Sequence, residues 1–323
     1  MRSAFALVAV LAVAWLTAPP VAAQAWPAKP VRIVVTGAVG GSLDIPARIV
    51  AERLKDRLGQ PVIVDNRPAA GGTQGTGEVA RAAPDGYTFV YSFNGPLAYA
   101  PHLNAKLPYN PLKDLVPVVR MAGEPFVLGV QPSLDVSSVK ELVALARKTP
   151  GKLNYASLGN GSGSHLTMEL LKTEAKVFIV HIPYNGAAAA ANALAAGDVQ
   201  AAFLPPAVLQ PHVQSGRVKL LAVSSIERFA LLPGVPTVAE TGLPGFDASG
   251  WNGVLAPAGT PPEIVQRMNR EINAVLAASD VRELLARSQI QPAGGTAEQF
   301  GQLMARESAK WAPIIQYTGA RID

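Results

Sequence analysis

The chain has 323 residues, 49% of them hydrophobic and only 16% charged, with a formal net charge of +5 and no cysteine. Lacking thiols, it is excluded from disulfide scaffolds, thiol catalysis and lipid attachment through an N-terminal cysteine, and a chain of this length can bury enough core to stand without them. Its lysines and arginines are scattered, which excludes the clustered basic stripe of a nucleic-acid binder.

Residues 1–25 read as a secretory signal peptide. Arg2 gives a short positive start, Ala4 to Thr17 carries no charge, and Pro19-Pro20 precede the small-residue run Val21-Ala22-Ala23-Gln24-Ala25, which fits cleavage after Ala23 or Ala25. The apolar run is too short and too broken by proline to be a membrane anchor. After it, strands alternate with helices. Val31 to Thr36 is a β-branched run that predicts a buried strand, and Asp44 to Leu58 a helix with Asp44 as N-cap and Gly59 as its end. Pro61 to Asp65 and Tyr87 to Ser92 read as further strands. Val139, Leu142, Val143 and Ala146 mark a helix, Leu153 to Ser157 a strand, Ser164 to Thr173 a helix and Val177 to Pro183 a strand. An Ala-rich helix from Gly186 to Ala196 is ended by Gly197, strands follow at Val199 to Leu204 and Val218 to Ser224, and an amphipathic helix follows Pro261-Pro262. This alternation implies an α/β protein with mostly parallel sheets. With no flexible linker between its two lobes, crossing strands are expected to join them.

Ligands of parallel α/β sheets collect at the carboxyl ends of strands, and two such turns here are rich in small polar residues. The first, Thr36-Gly37-Ala38-Val39-Gly40-Gly41-Ser42, runs toward Asp44. It reads either as an anion cradle at a helix N-terminus or as a plain Gly-rich turn. The second, Ser157-Leu158-Gly159-Asn160-Gly161-Ser162-Gly163-Ser164-His165, lacks both nucleotide fingerprints and the Gly-x-Ser-x-Gly nucleophile elbow. What is left is a neutral set of N–H and O–H donors suited to a carboxylate. Ser92 and Asn94, at the end of the third strand, join the candidate ligand contacts. His102, His165, His181 and His212 have no metal-ligand spacing, so neither a metal nor a cofactor is expected, and no carboxylate accompanies His165 to make it catalytic. Tyr155, Trp251 and Trp311 read as core or lobe-interface residues, Trp251 being the best candidate to stack on a ligand.

From Trp26-Pro27 to the last helix the sequence resembles the Bug family, the periplasmic binding components of tripartite tricarboxylate transporters. The resemblance rests on Gly40-Gly41-Ser42-Leu43-Asp44 with Ala47-Arg48, Leu58-Gly59-Gln60-Pro61-Val62-Ile63-Val64-Asp65-Asn66-Arg67-Pro68, and Ala80-Arg81-Ala82-Ala83-Pro84-Asp85-Gly86-Tyr87-Thr88. Tyr155-Ala156-Ser157, Gly161-Ser162-Gly163-Ser164-His165-Leu166, Pro183-Tyr184-Asn185-Gly186 and Leu255-Ala256-Pro257-Ala258-Gly259-Thr260-Pro261 complete it. It implies a two-lobed type II periplasmic binding protein (a Venus flytrap), with residues 26–125 and 249–323 in one lobe and 126–248 in the other. It also implies a periplasmic, monomeric, non-enzymatic receptor that takes a small carboxylate to inner-membrane transporter subunits. Tyr184, Asn185, Gly186 and Gln200 enter the candidate site on this resemblance. Asn185 stands where the family often has Lys, and Gln200 where Asp is common, which disfavours an acidic amino acid and favours a mono- or dicarboxylate with an apolar body. A sensory adaptor and an exported enzyme of the same fold are the competing readings.

Overall fold

Strand β1 (Val31–Val35) lies between β2 (Val62–Asn66) and β3 (Thr88–Phe93), parallel to both. The computed structural model describes residues 26–321, so the leader read from residues 1–25 lies outside the described residues. Helix α1 (Asp44–Leu58) joins β1 to β2 and buries the expected stripe of Ala47, Val50, Ala51, Leu54 and Leu58. It stops at Gly59, whose φ of 70° is the left-handed conformation that glycine adopts without steric cost. Asp44 departs from expectation: it is the first helical residue rather than the cap, and its carboxylate turns back to the preceding loop. Helix α2 (Thr73–Ala80) leads to β3, and a π-helical turn at Gly95–Tyr99 with the short α3 (Ala100–Leu103) leads on to β4 (Leu115–Glu124).

From Glu124 the chain passes through Pro125-Phe126 straight into β5 (Val127–Val130), in a second sheet. That sheet is built with α4 (Val139–Lys148), β6 (Asn154–Ser157), α5 (Gly163–Ala175), β7 (Val180–Pro183), α6 (Ala187–Ala196), β8 (Ala201–Leu204), α7 (Pro206–Gln214), β9 (Lys219–Val223) and α8 (Val238–Thr241). The chain then returns through β10 (Gly250–Pro257) to the first sheet and ends with α9 (Pro262–Ala277), α10 (Ser279–Arg287), β11 (Gln291–Pro292) and α11 (Ala297–Thr318). The strand orders are β11-β4-β10-β3-β1-β2 and β7-β6-β8-β5-β9.

Both sheets are mixed rather than mostly parallel. The βαβ crossovers give parallel pairs (β1 with β2 and β3, β6 with β7 and β8), whereas β10 runs antiparallel to β3 and β4, and β5 antiparallel to β8 and β9. The reason is the connection itself. A strand that carries the chain across to the other lobe, or back, enters its sheet without the helix that a parallel pairing requires.

The two crossings are tied together at one point. Ser224 N donates to Phe126 O at 2.8 Å, and Ser224 Oγ accepts from Phe126 N at 3.0 Å and donates to Ala248 O at 3.0 Å. Ala248 N donates to Ser224 O at 2.7 Å, and Ser224 is fully buried. The C-terminal α11 packs over the same junction. Its Trp311 meets Tyr99 edge-on at 5.2 Å and its Phe300 meets Trp251 edge-on at 5.7 Å. One apolar core runs from Leu97 and Tyr99 through Trp311 to Leu128, Phe203 and Phe246 and so spans both sheets.

Candidate functional site

A cavity of about 620 Å³ opens between the carboxyl ends of β1 and β3 on one side and of β6 and β8 on the other. This is a size suited to a small organic ligand. Leu43, Pro68, Phe93, Leu103, Phe126, Leu158 and Trp251 give it apolar walls, and small polar residues line it from both lobes.

The second-lobe wall is the loop after β6. Ser162 is the N-cap of α5: its Oγ accepts from His165 N at 3.2 Å and donates to Gly159 O at 2.7 Å. Gly159 and Gly161 take φ of 112° and 72°, which only glycine accepts at low cost. Gly161, Ser162, Gly163 and Ser164 all line the cavity. The N–H groups of Gly163 and Ser164, in the first helical turn, have no intrahelical acceptor and carry the positive end of the helix dipole. Gly163 also leaves room for Phe126, since a Cβ there would stand 3.0 Å from its ring. The Ser164 hydroxyl is spent inside, donating to Phe203 O at 2.6 Å, so its contribution to a ligand is the backbone N–H.

The first-lobe wall is the loop after β1, and Asp44 is its anchor. The Asp44 carboxylate, 2% exposed, accepts from Gly40 N at 2.8 Å, Arg48 Nε at 2.9 Å and Asn66 Nδ2 at 2.9 Å. Burial pushes its pKa up, but the Arg48, Gly40 and Asn66 hydrogen bonds outweigh this and hold it below the ordinary carboxylate value. Gly41 O accepts from both Asp44 N and Ile45 N. The start of α1 is thereby satisfied from within the protein. Side-chain donors at this wall are the exposed Ser42 hydroxyl and the amides of Asn94 and Asn252, whereas the Thr36 hydroxyl is spent on Tyr91 O at 3.2 Å.

Four residues that carry much of this geometry, Glu124, Phe126, Trp251 and Asn252, sit where β4 and β10 pass between the lobes. Asn252 Oδ1 accepts from Tyr91 OH at 2.9 Å, which orients the Asn252 amide N–H group as a donor at the cavity wall. Glu124 Oε1 and Trp251 Nε1 are buried without a hydrogen-bond partner among the described residues. Burial lifts the Glu124 carboxyl to about 7. Among the described residues lining the cavity, Glu124 is the only charged one.

The family described as tripartite tricarboxylate transporter family receptor matches residues 46–320. The chain is 40% identical to protein BugT of Bordetella pertussis over 307 residues, 94% of each protein. It belongs to this receptor family. Among solved structures it is similar to R. palustris Rpa4515 with adipate, at 34% identity and a TM-score of 0.78 over 92% of this chain and 100% of the other. It is similar also to MatC from Rhodopseudomonas palustris with bound malate, at 33% identity and a TM-score of 0.72 over 90% and 100%. A TctC solute-binding protein from Polaromonas gives a TM-score of 0.80 at 29% identity over 90% and 99%. The two-lobed periplasmic-binding-protein fold is thus that of the family, which is one of solute-binding receptors.

Of the residues singled out in the sequence, this receptor brings Thr36, Gly41, Ser42, Asn94, Gly161, Ser162 and Ser164 to one cavity. The others stand elsewhere. Gly40 and Asp44 brace the first loop from behind. Ser92 is fully buried and its Oγ is 2.9 Å from Thr76 Oγ1. Ser157 is fully buried against His181 Nε2 at 2.6 Å, and His165 Nδ1 accepts from Gly161 N at 3.1 Å. Tyr184, Asn185 and Gly186 follow β7, the edge strand, and do not border the cavity, because β6 stands between β7 and the cavity-bearing β8. Gln200 does not border it either. It precedes β8 at the amino end, five residues or about 16 Å of strand from Pro205 at the cavity, and its amide bonds Asn154 N and Gly197 O. Among the described residues no cluster of three or more His, Asp or Glu side chains is placed to hold a metal, and no helix is long and apolar enough to cross a membrane.

Proposed function

We propose that this chain is an exported periplasmic receptor that closes its two lobes around a small mono- or dicarboxylate with an apolar body and presents it to inner-membrane tripartite transporter subunits. The observation that carries this reading is the cavity itself. Its N–H donors at the start of α5 face the Ser42 and Asn252 side of the other lobe, and apolar walls lie between. Such donors hold a carboxylate without a counter-cation, each contributing about 0.3–2 kcal/mol according to burial. Relatives solved with adipate and malate support the ligand class. We read residues 26–125 and 249–323 as one lobe and 126–248 as the other, and the working form as a monomer. The ligand contacts in this reading are Thr36, Gly41, Ser42, Asn94, Asn252 and Gly161 to Ser164.

Asn185 and Gln200 no longer argue against acidic amino acids, since neither borders the cavity. The apolar lining takes over that argument. Titration calorimetry with a panel of mono- and dicarboxylates, aspartate and glutamate tests the reading. Micromolar binding of a simple carboxylate, needing about −8 kcal/mol, supports it. Failure of every carboxylate overturns it, and preference for aspartate or glutamate overturns the ligand class.

A further inference from the structure

A carboxylate ligand in this cavity meets one charge of its own sign. The cavity borders no Lys, Arg or His side chain among the described residues, and its one carboxyl group is Glu124, the last residue of β4. Tyr99 is the other titratable lining residue; its buried hydroxyl is pushed far up, first by burial and then by Glu307, and accepts from Asn94 Nδ2 at 2.6 Å. Among the described residues, none of the groups around Glu124 is hydrogen-bonded to its buried Oε1. On β3, Tyr91 faces it, and the buried Tyr91 hydroxyl is pushed far up, first by burial and then by the Glu124 charge, while its O–H is already given to Asn252. On β10, Trp251 offers an indole N–H that has no acceptor of its own. On β4, Arg120 opens on a second, polar cavity of about 540 Å³ beside Glu124, and the charges it feels there are those of Asp247 and of Glu307 on α11. Glu227 and Arg228 line the far side of that second cavity. Lys310 of α11 is bonded to Asp247 O and Glu307.

Resting on the carboxylate-receptor reading, we propose that Glu124 is a specificity-determining residue that makes ligand capture proton-coupled: the receptor binds its carboxylate together with one proton, which Glu124 holds. The proton comes from solvent and adds to the Glu124 carboxylate. The neutral acid O–H can then donate to a ligand oxygen, where the ionised form would repel it. Burial alone already places Glu124 at about 7, and a second anion enclosed with it raises that value further, because like charges in one poorly solvated space disfavour ionisation. The device also selects ligands. A carboxylate end reaching Glu124 is accepted only with its proton, whereas an ammonium there would be held by the ionised form with no proton taken up.

The test is titration calorimetry of the full mature chain with adipate, malate and glutamate between pH 6.5 and 8.5, in pairs of buffers of different ionisation heat, for wild type and Glu124→Gln. Proton uptake approaching one per adipate or malate is expected. Affinity should fall toward tenfold for each pH unit above the free-protein value. The Gln variant keeps an amide donor, so it should bind with a flat pH profile and no uptake. The buffer-pair measurement on wild type stands whether or not the variant folds. Carboxylate binding that is flat with pH and takes up no proton overturns the coupling while leaving the receptor reading intact. Uptake that persists in Glu124→Gln overturns the assignment to Glu124. Glutamate binding more tightly than adipate and malate, without uptake and lost in the variant, makes Glu124 an ammonium partner and overturns the proposal. Binding of no carboxylate at any pH overturns the receptor reading and this inference together.

Discussion

Two ionisable side chains near the cavity respond to pH in opposite directions, and both owe their shift first to burial. Glu124 is raised to about 7. A carboxyl whose folded value lies above its unfolded one destabilises the fold as pH rises through that window, because the unfolded chain ionises first. Glu124→Gln should therefore melt higher than wild type at pH 8, by about 1–3 kcal/mol, with the gap closing by pH 4.5; thermal unfolding across that range measures it. His181 is lowered to about 4 by burial, then by its stacked neighbour His165, with Lys172 adding and Glu169 opposing. Its contribution is complete above the ordinary histidine value and is lost as pH falls from there toward 4. His181→Gln should flatten the acid limb of the stability curve by about 1–2 kcal/mol, read by denaturant titration at pH 7 and pH 4.5. Neither behaviour is legible in sequence: Met121-Ala122-Gly123-Glu124-Pro125 reads as a strand end, and nothing local says that its carboxyl lacks a partner.

At the scale of single elements the sequence was a good guide wherever the signal is local. The stripe and glycine stop of α1, the Ser-rich entry to α5 and the Gly197 end of α6 depend on neighbours within a few residues. Asp44 shows where this fails. A carboxylate at a helix start has the composition of a cap, yet its partners include Asn66, on a different strand. Replacing Asp44 with Ala strands the Gly40 N–H, Arg48 and Asn66 and should cost about 2–4 kcal/mol, measured by urea unfolding. Ser162→Ala removes a true N-cap and should cost about 1 kcal/mol. It should also weaken carboxylate binding, because the same hydroxyl holds Gly159 and the α5 donors in place.

For the whole molecule, the junction between lobes is the decisive feature. The two crossings are hydrogen-bonded through one buried serine, and a single core passes beneath them. Ser224→Ala leaves Phe126 N and Ala248 O short of partners and should lower stability by about 1–3 kcal/mol. Ser224 does not border the cavity, so any change in ligand affinity must come through the relation of the lobes. Ligand binding should itself stabilise the molecule. At about 100 times Kd the gain is about 2.7 kcal/mol, and a thermal-shift series over carboxylates reads it directly.

The sequence by itself determined the α/β class, most element positions, the family and the two polar loops that meet at the cavity, because periodicity, glycine placement and ordered motifs are properties of neighbouring residues. It could not decide which strand ends adjoin. That depends on strand order, and strand order put Gln200 and Asn185 away from the cavity, brought Asn252 and Trp251 into it from far downstream of both loops, and made both sheets mixed. It also could not show that Glu124 lacks a partner among the described residues. A pairing is a fact about what surrounds a side chain in space, and for Glu124 those surroundings come from strands and a helix far apart along the chain.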